Sequence, residues 1–222
     1  MTTALILGST KGLGKEITSL CIKKNWNTVE IGSSISDAID GKRNYLNCDL
    51  SSEDSVFNLI KKLESVPEID YFFWIAGRII KGDFSLQQPN DILNTIDINF
   101  RNAVPLVQYI WKRMQSTKEP SNIIAISSSS GLKPRPDEAI YAATKFAQVG
   151  FIKNLGLENK NPNLKILLVL PGGMKTSLWD KIPTPDYNSF LNPTHVADKI
   201  MDSILSQTGN YSELSIPRGS LK

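Results

Sequence analysis

The apolar run Thr3 to Leu7 (TALIL) leads directly into Gly8-x-x-x-Gly12-x-Gly14, and the chain then turns helical. From Gly12 the stretch GLGKEITSLCIKKNW places Leu13, Ile17, Leu20 and Cys21 on one side of a helix. Strand, glycine loop and helix in immediate succession restrict the fold severely. The glycines let the chain turn sharply and let a pyrophosphate approach the helix's amino end, where free N–H groups and the helix dipole favour negative charge. Gly8, Ser9, Thr10, Lys11, Gly12, Leu13 and Gly14 are therefore candidate nucleotide-binding residues.

The alternation continues. Thr28 to Gly32 is a second strand and Asn44 to Asn47 a weak third, followed by a helix capped at Ser51/Ser52 with acidic residues in its first turn. Tyr71 to Ile75 is a fourth strand, a long helix runs from about Asn90 to Met114, and Asn122 to Ile126 is a fifth strand. A helix holding Tyr141 and Lys145, a strand at Lys165 to Leu170, a break at Pro171-Gly172-Gly173, a helix near Thr194 to Ser206 and a short strand at Leu214 to Ile216 complete the chain. Strands apolar throughout and separated by helices predict an α/β, Rossmann-type doubly wound parallel sheet of about seven strands, with helices on both faces. At 222 residues, with no repeats or convincing linkers, residues 1–222 read as a single domain.

Bulk properties exclude several functions. A net charge of +3, spread rather than blocked, gives no nucleic-acid footprint. No apolar run reaches membrane-spanning length, and the first residues enter a strand rather than a signal peptide. Cys21 and Cys48 lack metal-ligand spacing, so no metal site is expected, and a reduced cytoplasmic setting is the simplest reading. The sole histidine, His195, lies at a helix start, which excludes a histidine-based triad.

The chemistry concentrates between Ser128 and Lys145. Tyr141 and Lys145 stand four apart on a helix, so their side chains leave the same face one turn apart. An ammonium there favours phenolate and draws the phenol's pKa of about 10 towards neutrality, making Tyr141 a usable general acid or base. Ser128 follows the apolar run SNIIAI, at a strand's carboxyl end, where open α/β sheets bind ligands.

Together these features resemble the short-chain dehydrogenase/reductase family over nearly the whole chain. The glycine spacing matches, as do Asp49-Leu50 after the third strand and Ala76-Gly77 after the fourth. Asn99 matches the helix-four asparagine; Ser128, Tyr141 and Lys145 match the other catalytic positions; and Pro171-Gly172 with Thr176 match the loop near the nicotinamide. Two features depart: Trp74 and Ile75 replace the paired asparagines that precede Ala-Gly, and Leu7 replaces a threonine. The sheet must then be tied differently beside Ile75.

The resemblance implies hydride transfer between a nicotinamide and a carbonyl or alcohol carbon of a small substrate. Tyr141 would act as proton donor and acceptor, Lys145 would lower its pKa and hold ribose, Ser128 would bond the substrate oxygen, and Asn99 would anchor a water. The second strand ends in Gly32-Ser33-Ser34 without an acid, and Lys11 offers a positive charge, so NADP(H) is expected over NAD(H), which stays possible. Leu132, Met174, Leu178 and Trp179, with Ile182, Tyr187 and Phe190, suit a mainly apolar substrate under a short lid around residues 174–192 that contains Pro183 and Pro185. Lys133 and Arg135 could meet an anion but read better as a solvated loop. Rival readings are an idle NADP-binding scaffold or redox-sensing regulator, which usually loses the tyrosine or lysine, and a sugar-nucleotide epimerase, which usually spaces its glycines differently. Apolar residues beyond the sheet-facing stripe, such as Phe146 and Phe151, together with the resemblance, suggest a homodimer or homotetramer.

Overall fold

In the computed structural model, residues 1–180, 182 and 184–220 are described. Eight strands form one sheet: β1 (Thr3–Leu7), β2 (Asn27–Gly32), β3 (Ala38–Asp40), β4 (Arg43–Asn47), β5 (Tyr71–Trp74), β6 (Ser121–Ile126), β7 (Leu164–Pro171) and β8 (Tyr211–Ile216). Their order is β3-β4-β2-β1-β5-β6-β7-β8. Seven strands are parallel, as expected, and the eighth, β3, runs antiparallel against β4. Its side chains are all exposed, so it has no apolar pattern to read. Gly41, in the left-handed region at φ 58°, makes the tight turn between them.

Period-two alternation sends successive strand residues to opposite faces. Leu5, Phe72, Ile123 and Ile166 pack with α2 (Glu53–Leu63), α4 (Ala103–Ser116) and α5 (Ala139–Glu158). Ala4, Ile6, Phe73 and Leu167 pack with α1 (Gly12–Lys23) and α6 (Pro193–Ser206). Burial on both faces explains why the central strands contain almost no polar residue. Ser52 caps α2 by accepting from the Ser55 amide at 3.3 Å.

The long helix expected from Asn90 to Met114 is interrupted. It consists of α3 (Pro89–Ile96), a wide π turn over Asp97–Arg101, and α4. The wide turn carries Asn99 into the interior, fully buried, and such turns recur at functional sites. The missing asparagines before Ala76 are compensated by backbone: the Ile75 and Ala76 amides both donate to the Leu7 carbonyl, at 3.0 and 2.8 Å. Trp74 fills the core instead, edge-on to Phe151.

After β1 the chain crosses to β2 on one side, and after β4 it returns to β5 on the other. The carboxyl ends of β1 and β5 thus flank the switch point, where a ligand crevice forms in such sheets. Above it, Ile79, Tyr141, Trp179 and Phe190 make a separate apolar cluster, joined by Leu178, Ile182 and Tyr187. From the stretch after β7, Leu178, Trp179, Ile182, Tyr187 and Phe190 therefore cluster with Tyr141, and Met174 bridges Leu191. Pro183 lies outside the described residues.

Candidate active site

Backbone geometry builds the first half of the site. Gly8 and Gly12 have φ of 95° and 51°, a region costly for side-chain-bearing residues. A Cβ on Gly14 would stand 1.8 Å from the Gly8 carbonyl oxygen, so only glycine lets α1 begin this close to β1. Behind the turn, the Ser9 hydroxyl donates to the Ile31 carbonyl at 3.3 Å.

The result is a groove of about 460 Å³. Gly8, Thr10, Lys11, Gly12 and Leu13 form its floor, and Ser33, Asp49 and Leu50 its far end. Ala76, Gly77 and Thr176 line the near end. Ser9 and Gly14 support the groove without lining it. Lys11 and Ser33 are exposed, and Asp49 is occupied by the Ser51 amide and hydroxyl, at 2.9 and 2.8 Å. Pro171 and Gly172 line the neighbouring pocket rather than the groove. Sequence reasoning passed over Arg78, which also lines the groove and pairs with Asp91; its place directly after Ala76-Gly77 was the available signal.

Asn99 clamps the Arg78 peptide. Its Oδ1 accepts from the Arg78 amide at 2.6 Å, and its Nδ2 donates to the Arg78 carbonyl at 2.8 Å and to Thr144 Oγ1 at 2.9 Å. The side chain is thus a strut between the Arg78 loop and α5. Gly77 fits between Asn99 and Lys145: a Cβ there would stand 3.5 Å from Asn99 Oδ1 and 3.6 Å from Lys145 Nζ.

Ser128, Tyr141 and Lys145 come together beneath the lid, all buried. Gly131 allows the serine loop to rest directly on α5, since a Cβ would lie 2.8 Å from the Lys145 carbonyl oxygen. Ser128 Oγ accepts from the Ser130 amide at 3.0 Å. Burial pushes the Tyr141 phenol up to about 12, against a downward pull from its hydrogen bond with Ser128 and a further upward push from Glu138. Lys145 is not among the groups that act on the phenol here. Lys145 Nζ turns towards the sheet, donating to the Ile126 carbonyl at 3.2 Å and to Gln148 Oε1 at 3.1 Å. It stands 5.9 Å from the Tyr141 ring centre. Burial also disfavours the ammonium and pushes Lys145 down to about 8. Gln148 was missed; its position one turn beyond Lys145 was the signal.

The pocket over Tyr141, about 40 Å³, opens beside the groove and shares Met174, Thr176 and Leu178 with it. Trp179 lines it as expected, whereas Leu132 is exposed and outside it. The rest of the lining departs from the apolar expectation, because Ser127 to Ser130, Arg135, Glu138 and Arg218 all face it. Lys133 is exposed and outside the lining. Arg218 arrives from beyond β8, a long way in sequence from any motif. His195 is exposed at the start of α6, and both cysteines are buried and free. Among the described residues no cluster of ligating side chains could hold a metal, and no helix is long and apolar enough to cross a membrane.

A doubly wound sheet with a glycine loop at its switch point and a Ser-Tyr-Lys group beside it defines a Rossmann-type nucleotide-binding protein. Sequence comparison narrows this: the short chain dehydrogenase family model matches residues 2–186. The chain belongs to the short-chain dehydrogenase family, a family of oxidoreductases. Carbonyl reductase family member 4 of Xenopus laevis is 24% identical over 208 residues, covering 88% of each chain. Among solved structures, 4-hydroxyisoleucine dehydrogenase complexed with NADH aligns with a TM-score of 0.87 at 20% identity, over 99% of this chain and 98% of the other. ElxO with NADP bound aligns at 0.82 and 23% identity, over 99% and 98%. The structural likenesses bear on the fold.

Proposed function

We propose that the protein is an NADP(H)-dependent oxidoreductase that reduces a small carbonyl compound or oxidises the matching secondary alcohol. The observation that carries this reading is the junction of groove and pocket: Met174, Thr176 and Leu178 line both, and Tyr141 stands at the pocket's side of it. A nicotinamide held in the groove supplies or accepts the hydride. The residues present suit it: Gly8, Gly12 and Leu13 put the amino end of α1 in the groove's wall, where a pyrophosphate would meet free N–H groups, and Gly77 lines the same groove beside Lys145.

In reduction Tyr141 donates its proton to the developing alkoxide, and in oxidation it takes the proton back. Ser128 hydrogen-bonds the substrate oxygen and stabilises its growing charge. Lys145 holds ribose and, turned from Gln148 towards the phenol, brings the tyrosine's pKa down. Asn99 positions the Arg78 loop against α5. Residues 1–222 act as one unit with 174–192 as the lid. Exposed Phe146 and Leu157 on α5 offer a face for a homodimer or homotetramer.

Lys11 and the acid-free Gly32-Ser33-Ser34 end support the choice of NADP(H), since an acid there would repel a 2′-phosphate. A paired titration with NADPH and NADH tests it: NADPH is expected to bind much more tightly, and NADH preference overturns the assignment. A second reading, an idle nucleotide-binding scaffold, is favoured by one observation, the Lys145 ammonium bonded to the Ile126 carbonyl and Gln148 rather than to the Tyr141 hydroxyl. Turnover of any carbonyl with either nucleotide removes it.

A further inference from the structure

The walls of the pocket over Tyr141 carry charge. Arg218 enters from the tail that follows β8, and Arg135 from the loop before α5. Arg218 is not a loose surface side chain. Its Nη1 pairs with Asp186, and its guanidinium lies over the Phe190 ring, 4.2 Å from the centre. Its stem is pressed against the Pro171-Gly172 turn, so closely that a Cβ on Gly172 would stand 2.9 Å from Arg218 Cγ. The group is therefore fixed in orientation, yet its Nε is buried with no acceptor among the described residues. A buried N–H of a cation without a partner is costly unless a ligand oxygen meets it.

The one carboxylate in the same lining is already engaged. Glu138 Oε2 accepts from Ser130 Oγ at 2.8 Å, and its Oε1 lies 4.0 Å from Lys81 Nζ. Asp186, on the other side of Arg218, has a half-exposed side chain and lies outside the lining, so water screens its hold on the guanidinium. Arg135 stands at the exposed rim, bonded to Ser129 Oγ at 3.2 Å. Two guanidinium groups thus face the pocket against one satisfied carboxylate.

We propose that the substrate is a short carbonyl or hydroxy compound bearing a carboxylate, and that Arg218 receives that carboxylate while Arg135 draws the anion in. The proposal rests on the oxidoreductase reading of this pocket and names its substrate class. A guanidinium presents parallel N–H donors in the spacing of a carboxylate's oxygens, which an ammonium does not. Ser128 and Tyr141 line the same pocket, where the reacting oxygen would meet them. The small volume, about 40 Å³, favours a short chain between the two functions.

The experiment compares kcat/KM for short keto acids and their methyl esters with NADPH, in the wild type and in Arg218→Gln and Arg218→Lys. A nucleotide titration of each variant checks that it is folded. The wild type is expected to prefer acid over ester by about ten- to a hundred-fold, carried by KM. Arg218→Gln should bring that ratio close to one, with Arg218→Lys in between. A wild-type ratio near one, or a ratio unmoved by Arg218→Gln, overturns the proposal and leaves the reductase intact. If NADPH binds but neither acid nor ester is reduced, the oxidoreductase reading is judged separately, on uncharged carbonyls with either nucleotide. Calorimetric titration of the same acids and esters into the nucleotide-loaded wild type and Arg218→Gln then decides the carboxylate site, and equal affinities overturn it.

Discussion

The groove and the pocket that meet at Met174 are made of different material. The groove is backbone: positive φ at Gly8 and Gly12, and a contact at Gly14 that leaves no room for a methyl group. The pocket is side chains gathered from the serine loop, the turn into α5, the lid and the tail after β8. A backbone site tolerates few residues, so it leaves a fixed signature in one short stretch. A side-chain site can be assembled in many ways from distant segments. The first is suited to a common ligand, the second to a particular one.

The sharpest way to test that division is Tyr141→Phe. If groove and pocket are separable, the variant loses at least about a thousand-fold in turnover while NADPH titration changes little. A parallel loss of nucleotide affinity would show that the two sites share their energetics.

Gly14→Ala strikes the other side. With the new Cβ 1.8 Å from the Gly8 carbonyl oxygen, β1 and α1 must separate, at a cost of about 1–3 kcal/mol. Nucleotide affinity is expected to fall by about a hundred-fold, with a drop of several degrees in Tm. Normal affinity would mean that the loop does not set the groove. Lys11→Ala should do less: an exposed cation contributes a modest charge contact, so NADPH weakens by about ten-fold and NADH scarcely at all. Equal losses would remove Lys11 from nucleotide choice.

The same division governs what the sequence reveals. β1, β5, β6 and β7 are the most legible strands because their runs are mainly apolar and buried on both faces; β4 and β8 mix polar and exposed residues into the run, and β3 is a three-residue hairpin arm with every side chain exposed. The glycine loop, Ser128, Tyr141 and Lys145 can be located from local spacing and Asn99 from the family resemblance; Gly8, Gly12, Ser128 and Tyr141 stand in the walls of the groove and pocket, with Asn99 and Lys145 buried behind them. Arg218 has no local pattern at all; it joins the pocket only because β8 ends beside β7 and the tail folds back under Asp186 and Phe190. Leu132 fails for the converse reason. It sits in the right stretch of chain, but its side chain points to solvent at 43% exposure. The wide turn at Asp97–Arg101 is hidden too, since its residues continue a helical pattern while the backbone opens.

Gln148 belongs to neither region and offers the finest test. It is fully buried, its Oε1 accepts from Lys145 Nζ at 3.1 Å, and its Nε2 has no partner. A buried amide with one half unsatisfied is a poor core filler compared with leucine, so its contribution lies in the acceptor it gives the lysine. An acceptor favours the ammonium, while burial has already moved Lys145 down to about 8. Gln148→Leu removes the acceptor and moves that ionisation lower still, so the alkaline limb of the kcat/KM profile should shift to lower pH by up to about one unit. Gln148→Glu sets a negative charge against Nζ and should shift the same limb to higher pH. The effect on rate at neutral pH is small, a few-fold at most. Opposite shifts from the two variants would place Lys145 in control of the tyrosine's proton even though it rests turned towards the sheet. Identical, unshifted profiles would make Gln148 packing alone and leave Ser128 and Glu138 as the side chains tuning Tyr141.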